Sequence, residues 1–336
     1  MLKLLHIAAG KPNGAVWTEV FRAALKQFGE LEIVENGDAM PKEARAERAR
    51  ACDVLFTSWS AASVPAELAE NPGRLRYVCH VTGGLRGTVP EELIDSAIPV
   101  TNWGDAPSNG VAEGAMALLL AALKDLHHQI RLAEAGEWAK DLRSTGGSID
   151  GLNVGLYGCG AIGRRFVELL RPFHPVIRVY DPFADGVPEG CARVNSLEEL
   201  FGQSEAVAIH AGLCDGTRNS VRAEHLALLP RHGVIVNTAR GAIIEPEALL
   251  CELQSGRLRA GLDVTDPEPL PPGHPLRTLP NVILTCHRVE HGWPLDGQPP
   301  RNLTRMQNVC LENVRRFCAG EPLLWVMDRR RYDLST

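Results

Sequence analysis

Apolar runs alternate with helix-length amphipathic stretches along the 336 residues of the chain. LKLLHIA, near the start, reads as a strand, and residues 15–28 (AVWTEVFRAALKQF) follow with apolar positions at helical spacing. LEIV, the Arg-, Glu- and Ala-rich stretch 41–50, DVLFTS, RLRYVCHV and IPVTN continue the alternation. A second series begins at Asn153, with NVGLYG as a strand and AIGRRFVELLRPF as a helix. VIRVYD, EAVAIHA, GVIVNTA, RAGLDV and NVILTC then read as further strands. Strands that alternate with helices predict parallel sheets covered on both faces. Two successive α/β units are therefore expected. Between them, residues 110–130 (GVAEGAMALLLAALKDLHHQI) predict one long helix, and residues 303–318 predict a last helix, stopped by Gly320 and Pro322.

Composition narrows the function classes. The length leaves room for two cores. The 35 basic residues are outnumbered by 41 acidic ones, so no basic surplus exists to neutralise a phosphate backbone, and nucleic acid is not an expected partner. No apolar run approaches the ~18 residues of a membrane span. MLKLLHIAAG is short and interrupted by His6, so it reads as a strand, not a signal peptide. The nine cysteines are scattered and form no CxxC pair. That pattern points to reduced thiols in a cytoplasmic protein, without disulfides or a zinc site.

The strongest local motif is Gly158-Cys159-Gly160-Ala161-Ile162-Gly163, placed after an apolar strand and opening a helix. In that context the first glycine allows a tight turn, the second admits a pyrophosphate to the backbone, and the third lets helix and strand pack closely. The helix N-terminus offers unpaired N–H groups to the phosphates. The next strand ends at Asp181, eighteen residues beyond Gly163. A carboxylate there accepts both ribose hydroxyls and repels a 2′-phosphate, which favours NAD over NADP. Arg164 follows the loop, either near the pyrophosphate or on a solvated helix face.

Three further groups follow successive strands of the second series. Arg240 lies in Asn237-Thr238-Ala239-Arg240-Gly241, and an arginine beyond a strand end can hold a carboxylate with two parallel charge-assisted bonds. Glu268-Pro269 comes after Gly261-Leu262-Asp263-Val264, and His287 closes Thr285-Cys286-His287. The order arginine, glutamate, histidine along one dinucleotide-binding sheet points to a catalytic set.

At this point the chain resembles the D-isomer-specific 2-hydroxyacid dehydrogenases, which include phosphoglycerate, glyoxylate/hydroxypyruvate and D-lactate dehydrogenases. The resemblance is carried by VAEGAMALLLA, GLNVGLYGCGAIGRRF, VYDPF, NTARGAIIEPEAL, GLDVTDPEP, NVILTCH and NVRRFCAGEP, in that order. It implies an α/β fold in which a Rossmann NAD-binding domain, residues 103–292, is inserted into a flavodoxin-like substrate domain of residues 1–102 and 293–336. The long helix near 110–130 would be a crossover and a dimer element, so a homodimer is expected. The implied activity is reversible hydride transfer between NAD(H) and a small anionic 2-oxo or 2-hydroxy acid of the hydroxypyruvate, glyoxylate or phosphoglycerate kind. The catalytic residues carry over to Arg240, Glu268 and His287. His287 would be the general acid, Glu268 would fix its tautomer, and Arg240 would clamp the carboxylate. Backbone N–H groups of Thr82, Gly83 and Gly84 would complete the carboxylate site. Thr238, Ala239, His210 and Asp263 would lie on the nicotinamide side of the cofactor site.

Departures from the family pattern cluster near that pocket. Gly84-Leu85-Arg86 stands where Gly-x-Asp is usual, and Asn102-Trp103-Gly104-Asp105 replaces Asn-x-Pro-Gly. His210-Ala211-Gly212-Leu213 replaces His-x-Pro-Leu, and Cys286 replaces the proline before the histidine. Arg288-Val289-Glu290-His291-Gly292-Trp293 replaces a small, glycine-rich stretch. Arg86 or Arg288 is a candidate second cation for a phosphorylated or dicarboxylic substrate, and Trp59 is a candidate for the pocket lining. Two alternatives share the scaffold: an NAD-sensing, corepressor-like binding protein, and a dehydrogenase for another small anion such as phosphite.

Overall fold

A computed structural model describes residues 1–137, 147–290 and 302–334. In it the chain divides into two units, one of Met1–Pro107 with Trp293–Thr336 and the other of Ser108–Gly292.

The first unit is built on five parallel strands: β1 (Leu2–Ile7), β2 (Gly29–Val34), β3 (Val54–Thr57), β4 (Tyr77–His80) and β5 (Val100–Thr101). Their order is β2-β1-β3-β4-β5, the flavodoxin-like arrangement. The connecting helices are α1 (Glu19–Lys26), α2 (Lys42–Arg50) and the single turn α3 (Glu91–Ile94). Helix α1 starts later than the apolar pattern suggests because Thr18 caps it, its hydroxyl accepting the Phe21 N–H at 3.3 Å. Phe21 and Leu25 then face the sheet, fully buried.

The C-terminal segment completes this unit. Its helix is numbered α10 (Arg305–Ala319), and it opens on a capping box between Thr304 and Gln307 and stops at left-handed Gly320. Buried Gln307 donates from Nε2 to the Val16 carbonyl, and Cys310 and Val314 pack with Phe21 and Leu25. A bridge from Val326 to Thr101 brings the chain beside β5, and α11 (Arg329–Leu334) follows.

The second unit begins with α4 (Ser108–Leu123) and α5 (Leu126–Glu134). Its seven parallel strands are β6 (Asn153–Tyr157), β7 (Val176–Tyr180), β8 (Ala192–Arg193), β9 (Ala206–Ile209), β10 (Val234–Asn237), β11 (Arg259–Leu262) and β12 (Val282–Leu284). The order β12-β11-β10-β9-β6-β7-β8 reverses direction between β6 and β9, as in a Rossmann fold. Helices α4 and α6 (Ala161–Leu170) cover one face, around Phe166 and Leu119. Helices α7 (Leu197–Gly202), α8 (Ala223–Leu228) and α9 (Pro246–Gln254) cover the other, around Phe201 and Ile235.

The single long helix expected over 110–130 is two helices. Asp125 takes a left-handed backbone (φ 55°) and breaks the run after Leu123. A long-range contact closes the end of α4: buried Arg259 on β11 donates to the Ala122 and Leu123 carbonyls, which also accept the Asp125 and Gly147 N–H groups, and its guanidinium lies 3.5 Å from the Asp125 carboxylate. Among the described residues no helix is long and apolar enough to cross a membrane.

Candidate active site

The glycine turn after β6 has the geometry its motif requires. Gly158 sits at φ +94°, and a Cβ there would lie 2.4 Å from the Ala211 nitrogen on the neighbouring strand end. A Cβ on Gly163 would lie 2.4 Å from the Gly158 carbonyl oxygen, so α6 packs directly on the turn. Gly160 is different: a Cβ there meets nothing within 4 Å. Two glycines are thus needed for packing, and the third leaves open space above the N-terminus of α6, where Ala161 is exposed and Ile162 half-buried.

Asp181, at the end of β7, is locked by backbone donors. One oxygen accepts the Cys159 N–H at 2.7 Å, and the other accepts Phe183 N–H at 2.8 Å and Ala184 N–H at 3.1 Å. The carboxylate therefore stands at the rim of the glycine turn. Arg164 does not face the turn in the same way, because its guanidinium donates to the Gly186 carbonyl at 2.8 Å.

Two polar side chains beyond β9 and β10 lack the partners that burial normally demands. Both ring nitrogens of His210 are buried, and neither finds a hydrogen bond among the described residues. Burial pushes its pKa down to about 4, so the ring is neutral near pH 7, and it packs against Phe166 at 4.9 Å. Thr238 is buried with an unpartnered hydroxyl. Orphaned groups beside an open glycine turn are what a dinucleotide site presents without its ligand's polar atoms. These residues fit the group that the motif implies.

The loop after β10 presents Arg240. Asn237 brackets the turn, its Oδ1 accepting the Ala239 N–H and its Nδ2 donating to the Arg240 carbonyl, both at 3.0 Å. Gly241 lets this loop press on the next one, since a Cβ there would meet the Thr265 carbonyl carbon at 2.1 Å. The guanidinium donates to the Ala239 carbonyl, and its pKa is lowered by burial against the opposing charge of Glu268. It remains a cation, and Glu268 is close enough to act on it.

Glu268 also holds His287: its Oε1 lies 2.6 Å from the histidine Nδ1. The loop carrying His287 is organised by Asp263, expected at the nicotinamide side. Asp263 Oδ1 accepts from the Thr285 hydroxyl at 2.6 Å and from the Arg288 N–H at 2.9 Å, while its carbonyl accepts the His287 N–H at 2.8 Å. These bonds hold His287 at φ +53°, a left-handed conformation that costs of order 1 kcal/mol outside glycine. Gly110 and Gly114 on α4 admit the next residues: a Cβ on Gly114 would lie 2.3 Å from Val289, and one on Gly110 2.8 Å from the Glu290 carbonyl oxygen. His291, Gly292 and Trp293 lie outside the described residues.

In the second unit, then, Arg240, Glu268 and His287 are brought together through Glu268. Asn237 and Thr285 hold the loops, although their motifs suggested no role for them. The first unit carries the other predicted group. Thr82, Gly83 and Gly84 form the turn after β4, where a Cβ on Gly83 would meet the Trp103 ring at 2.4 Å. His80, unmarked by any sequence motif, lies beneath this turn. Its Nδ1 is 2.8 Å from the Thr57 hydroxyl and its Nε2 2.8 Å from the Thr82 hydroxyl. Arg86, a candidate second substrate cation, is turned toward the tail, where its guanidinium donates to the carbonyls of Tyr332 and Asp333.

The chain is similar to known proteins. Residues 116–288 match a family model described as D-isomer specific 2-hydroxyacid dehydrogenase, NAD binding domain. The chain is 32% identical over 272 residues to D-3-phosphoglycerate dehydrogenase of Methanocaldococcus jannaschii, covering 79% of this chain and 51% of the relative. It thus spans about half the length of that protein. It is 29% identical over 323 residues to a glyoxylate reductase of Aeropyrum pernix, covering 93% of this chain and 94% of the relative. The crystal structure of a D-isomer specific 2-hydroxyacid dehydrogenase from Xanthobacter autotrophicus Py2, solved with NADPH and MES, superposes with a TM-score of 0.76 at 26% identity, covering 99% of this chain and all of that one. The matched model spans the glycine turn, Asp181, Arg240, Glu268 and His287, and the chain belongs to the D-isomer specific 2-hydroxyacid dehydrogenases, oxidoreductases that use a nicotinamide dinucleotide.

Proposed function

We propose that this protein interconverts a 2-hydroxy acid and its 2-oxo acid, with His287 as the proton-transfer residue and NAD(H) as the preferred cofactor. The observation that carries the reading is the 2.6 Å contact between His287 Nδ1 and Glu268, made beside the half-buried Arg240 cation. The bound cofactor supplies or accepts the hydride at the substrate's second carbon. The protein's part is binding, orientation and the proton. With Nδ1–H given to the Glu268 carboxylate, the ring is fixed in orientation and Nε2 is left to exchange a proton with the substrate oxygen. Arg240 offers paired N–H donors to the substrate carboxylate and draws charge toward the carbonyl oxygen as it develops. Gly158, Gly160, Ala161, Ile162 and Gly163 receive the pyrophosphate, Asp181 the ribose hydroxyls, and His210, Thr238 and Ala239 border the nicotinamide. Asp263 acts by holding the His287 loop.

Glyoxylate, hydroxypyruvate and 3-phosphohydroxypyruvate, the 2-oxo acids that correspond to relatives named glyoxylate reductase, hydroxypyruvate reductase and D-3-phosphoglycerate dehydrogenase, share the 2-oxo carboxylate and differ in the side chain. The test is a panel of these acids with NADH and NADPH, read at the nicotinamide absorbance band. Wild-type protein is expected to reduce at least one of them. His287→Ala should lower kcat about 10²- to 10⁴-fold, and Arg240→Ala should raise KM and lower kcat/KM by a comparable factor. Normal turnover by both variants with every acid would overturn the mechanism.

A further inference from the structure

We infer that Cys79 and Cys310 are a site of oxidative modification, where a small hydroperoxide joins them in a disulfide that fastens the C-terminal helix to the sheet of the first unit. The two cysteines stand 231 residues apart in sequence, on strand β4 and helix α10, and their sulfurs are 3.1 Å apart. Both are free thiols. A disulfide has a sulfur separation of about 2 Å, so closing the bond asks for about 1 Å of movement.

The pair is held in register by the elements that carry it. Cys310 lies on the buried face of α10, one turn after Gln307 and one turn before Val314. Gln307 Nε2 donates to the Val16 carbonyl and Asn313 Nδ2 to the Leu324 carbonyl, so the helix is pinned on both sides of the thiol. Cys79 is fixed by β4, which is paired on one side with β3 and on the other with β5. The surroundings also set the direction of attack. The Thr101 hydroxyl donates to Cys79 Sγ at 4.0 Å, and the Tyr77 hydroxyl lies 2.6 Å from that of Thr101. Burial acts to raise the Cys79 pKa, but hydrogen bonds from Cys310, Tyr77 and Thr101 outweigh it and bring the thiol below its ordinary value. Burial, reinforced by the neighbouring Cys79, pushes Cys310 up. The thiolate of the pair therefore forms on Cys79, and Cys310 keeps its proton.

Both sulfurs are buried, which keeps bulky reagents out. The oxidant that fits is small and uncharged, such as hydrogen peroxide. The Cys79 thiolate attacks one peroxide oxygen: the S–O bond forms as the O–O bond breaks, and the departing hydroxide takes up the proton that Cys79 gave up and leaves as water. The Cys310 sulfur then attacks the sulfenic acid: the S–S bond forms as the S–O bond breaks, and the hydroxyl leaves with the Cys310 proton as a second water. Two thiols lose two electrons and the peroxide gains them. The first unit is made of two chain segments separated by the whole second unit, and this bond joins them covalently. It removes openings in which the last helix leaves the sheet.

The experiment treats the intact protein with hydrogen peroxide, blocks the remaining thiols under denaturing conditions and maps the cysteine peptides by mass, before and after dithiothreitol. The expected product is a linked pair of peptides carrying Cys79 and Cys310, lost on reduction. Amide hydrogen exchange across residues 305–319 should slow about tenfold in the oxidised protein and recover on reduction. Cys79→Ala and Cys310→Ala should each show neither the link nor the slowing. Free thiols at both positions in oxidised wild type, sulfinic acid at either without a link, or a link from either to a different cysteine would overturn the inference. A Cys79–Cys310 link that leaves exchange in the helix unchanged would overturn the fastening.

Discussion

Each unit buries a histidine at the carboxyl end of its sheet, and the two are treated in opposite ways. His80 in the first unit has both ring nitrogens within 2.8 Å of a threonine hydroxyl. His210 in the second has both ring nitrogens buried and no partner among the described residues. A buried polar group without a hydrogen bond costs about 1–3 kcal/mol, so a fold tolerates one where something else offsets that cost. The contrast separates two uses of buried polarity. The His80 network is complete in the protein alone and stiffens a turn, whereas His210 and Thr238 keep buried polar atoms with no partner among the described residues, which in the proposed role a bound ligand would supply.

The sharpest way to break this contrast is to replace each ring by one of similar size and no nitrogen. His80→Phe takes a buried partner from the hydroxyls of both Thr57 and Thr82, leaving Thr82 only the Trp59 N–H, and should destabilise the protein by about 2–4 kcal/mol. His210→Phe removes nitrogens that bond to nothing among the described residues and should change stability by less than about 1 kcal/mol. The ligand should respond in the opposite order. NADH affinity, read by quenching of protein fluorescence, should fall at least fivefold in His210→Phe and stay near wild type in His80→Phe. Equal destabilisation in urea unfolding, or unchanged NADH affinity in His210→Phe, would remove the distinction.

The same contrast explains what the sequence made legible. The glycine turn and Asp181 were readable because their geometry is set within about thirty residues by one strand, one turn and one helix. Arg240, Glu268 and His287 were readable by resemblance and by their order on successive strands. Asn237 and Thr285, which hold those loops, carry no mark of their own: the partners of Asn237 are backbone groups that any residue supplies, and Thr285 meets Asp263 only through the pairing of neighbouring strands. His80 was invisible because Thr57 lies 23 residues away in sequence and meets it only through strand pairing. The break at Asp125 was missed for a related reason. The apolar spacing runs on past it, and the long-range contact that closes α4 comes from Arg259, more than 130 residues later. The two-residue edge strand β8 has too few positions to show an alternation. Arg86 illustrates the converse, a charge whose place in the motif suggested a ligand and whose actual partners are tail carbonyls.

Acid sensitivity sharpens the comparison, because burial is the largest cause of the shift in both rings. His80 titrates at about 3 and His210 at about 4 in the folded protein, both lowered chiefly by burial, against about 6.5 when unfolded. Below pH 6.5 the unfolded chain takes up protons that the folded rings refuse, so stability falls as the pH falls. The slope approaches about 1.4 kcal/mol per pH unit for each ring until the folded pKa is reached. Between pH 6.5 and 5 each histidine should therefore remove somewhat less than about 2 kcal/mol. Both phenylalanine variants should show a shallower slope of unfolding free energy against pH over this window, including His210→Phe, whose stability at pH 7.5 should match wild type. A slope reduced in His80→Phe alone would mean that the partners, not burial, set the titration of these rings.

Asp181 stands between the two cases, and its variant should have the smallest effect. Three backbone N–H groups already satisfy its carboxylate in part, as with His80, yet an ionised carboxylate has about four acceptor sites and so retains capacity for a ribose hydroxyl. In the proposed role its charge, not its hydrogen bonding to the chain, would repel a 2′-phosphate. Asp181→Asn keeps an acceptor for the Cys159 N–H and discards the charge. Arg193 lies alongside, donating to the Asp181 carbonyl at 3.0 Å, so a positive group is present once the negative one is gone. The ratio of kcat/KM for NADPH to that for NADH should rise about tenfold, roughly 1.4 kcal/mol, with the unfolding midpoint little changed. A wild-type protein that already prefers NADPH, or a ratio that does not move in Asp181→Asn, would show that the carboxylate serves only to brace the glycine turn, which would place it wholly with His80.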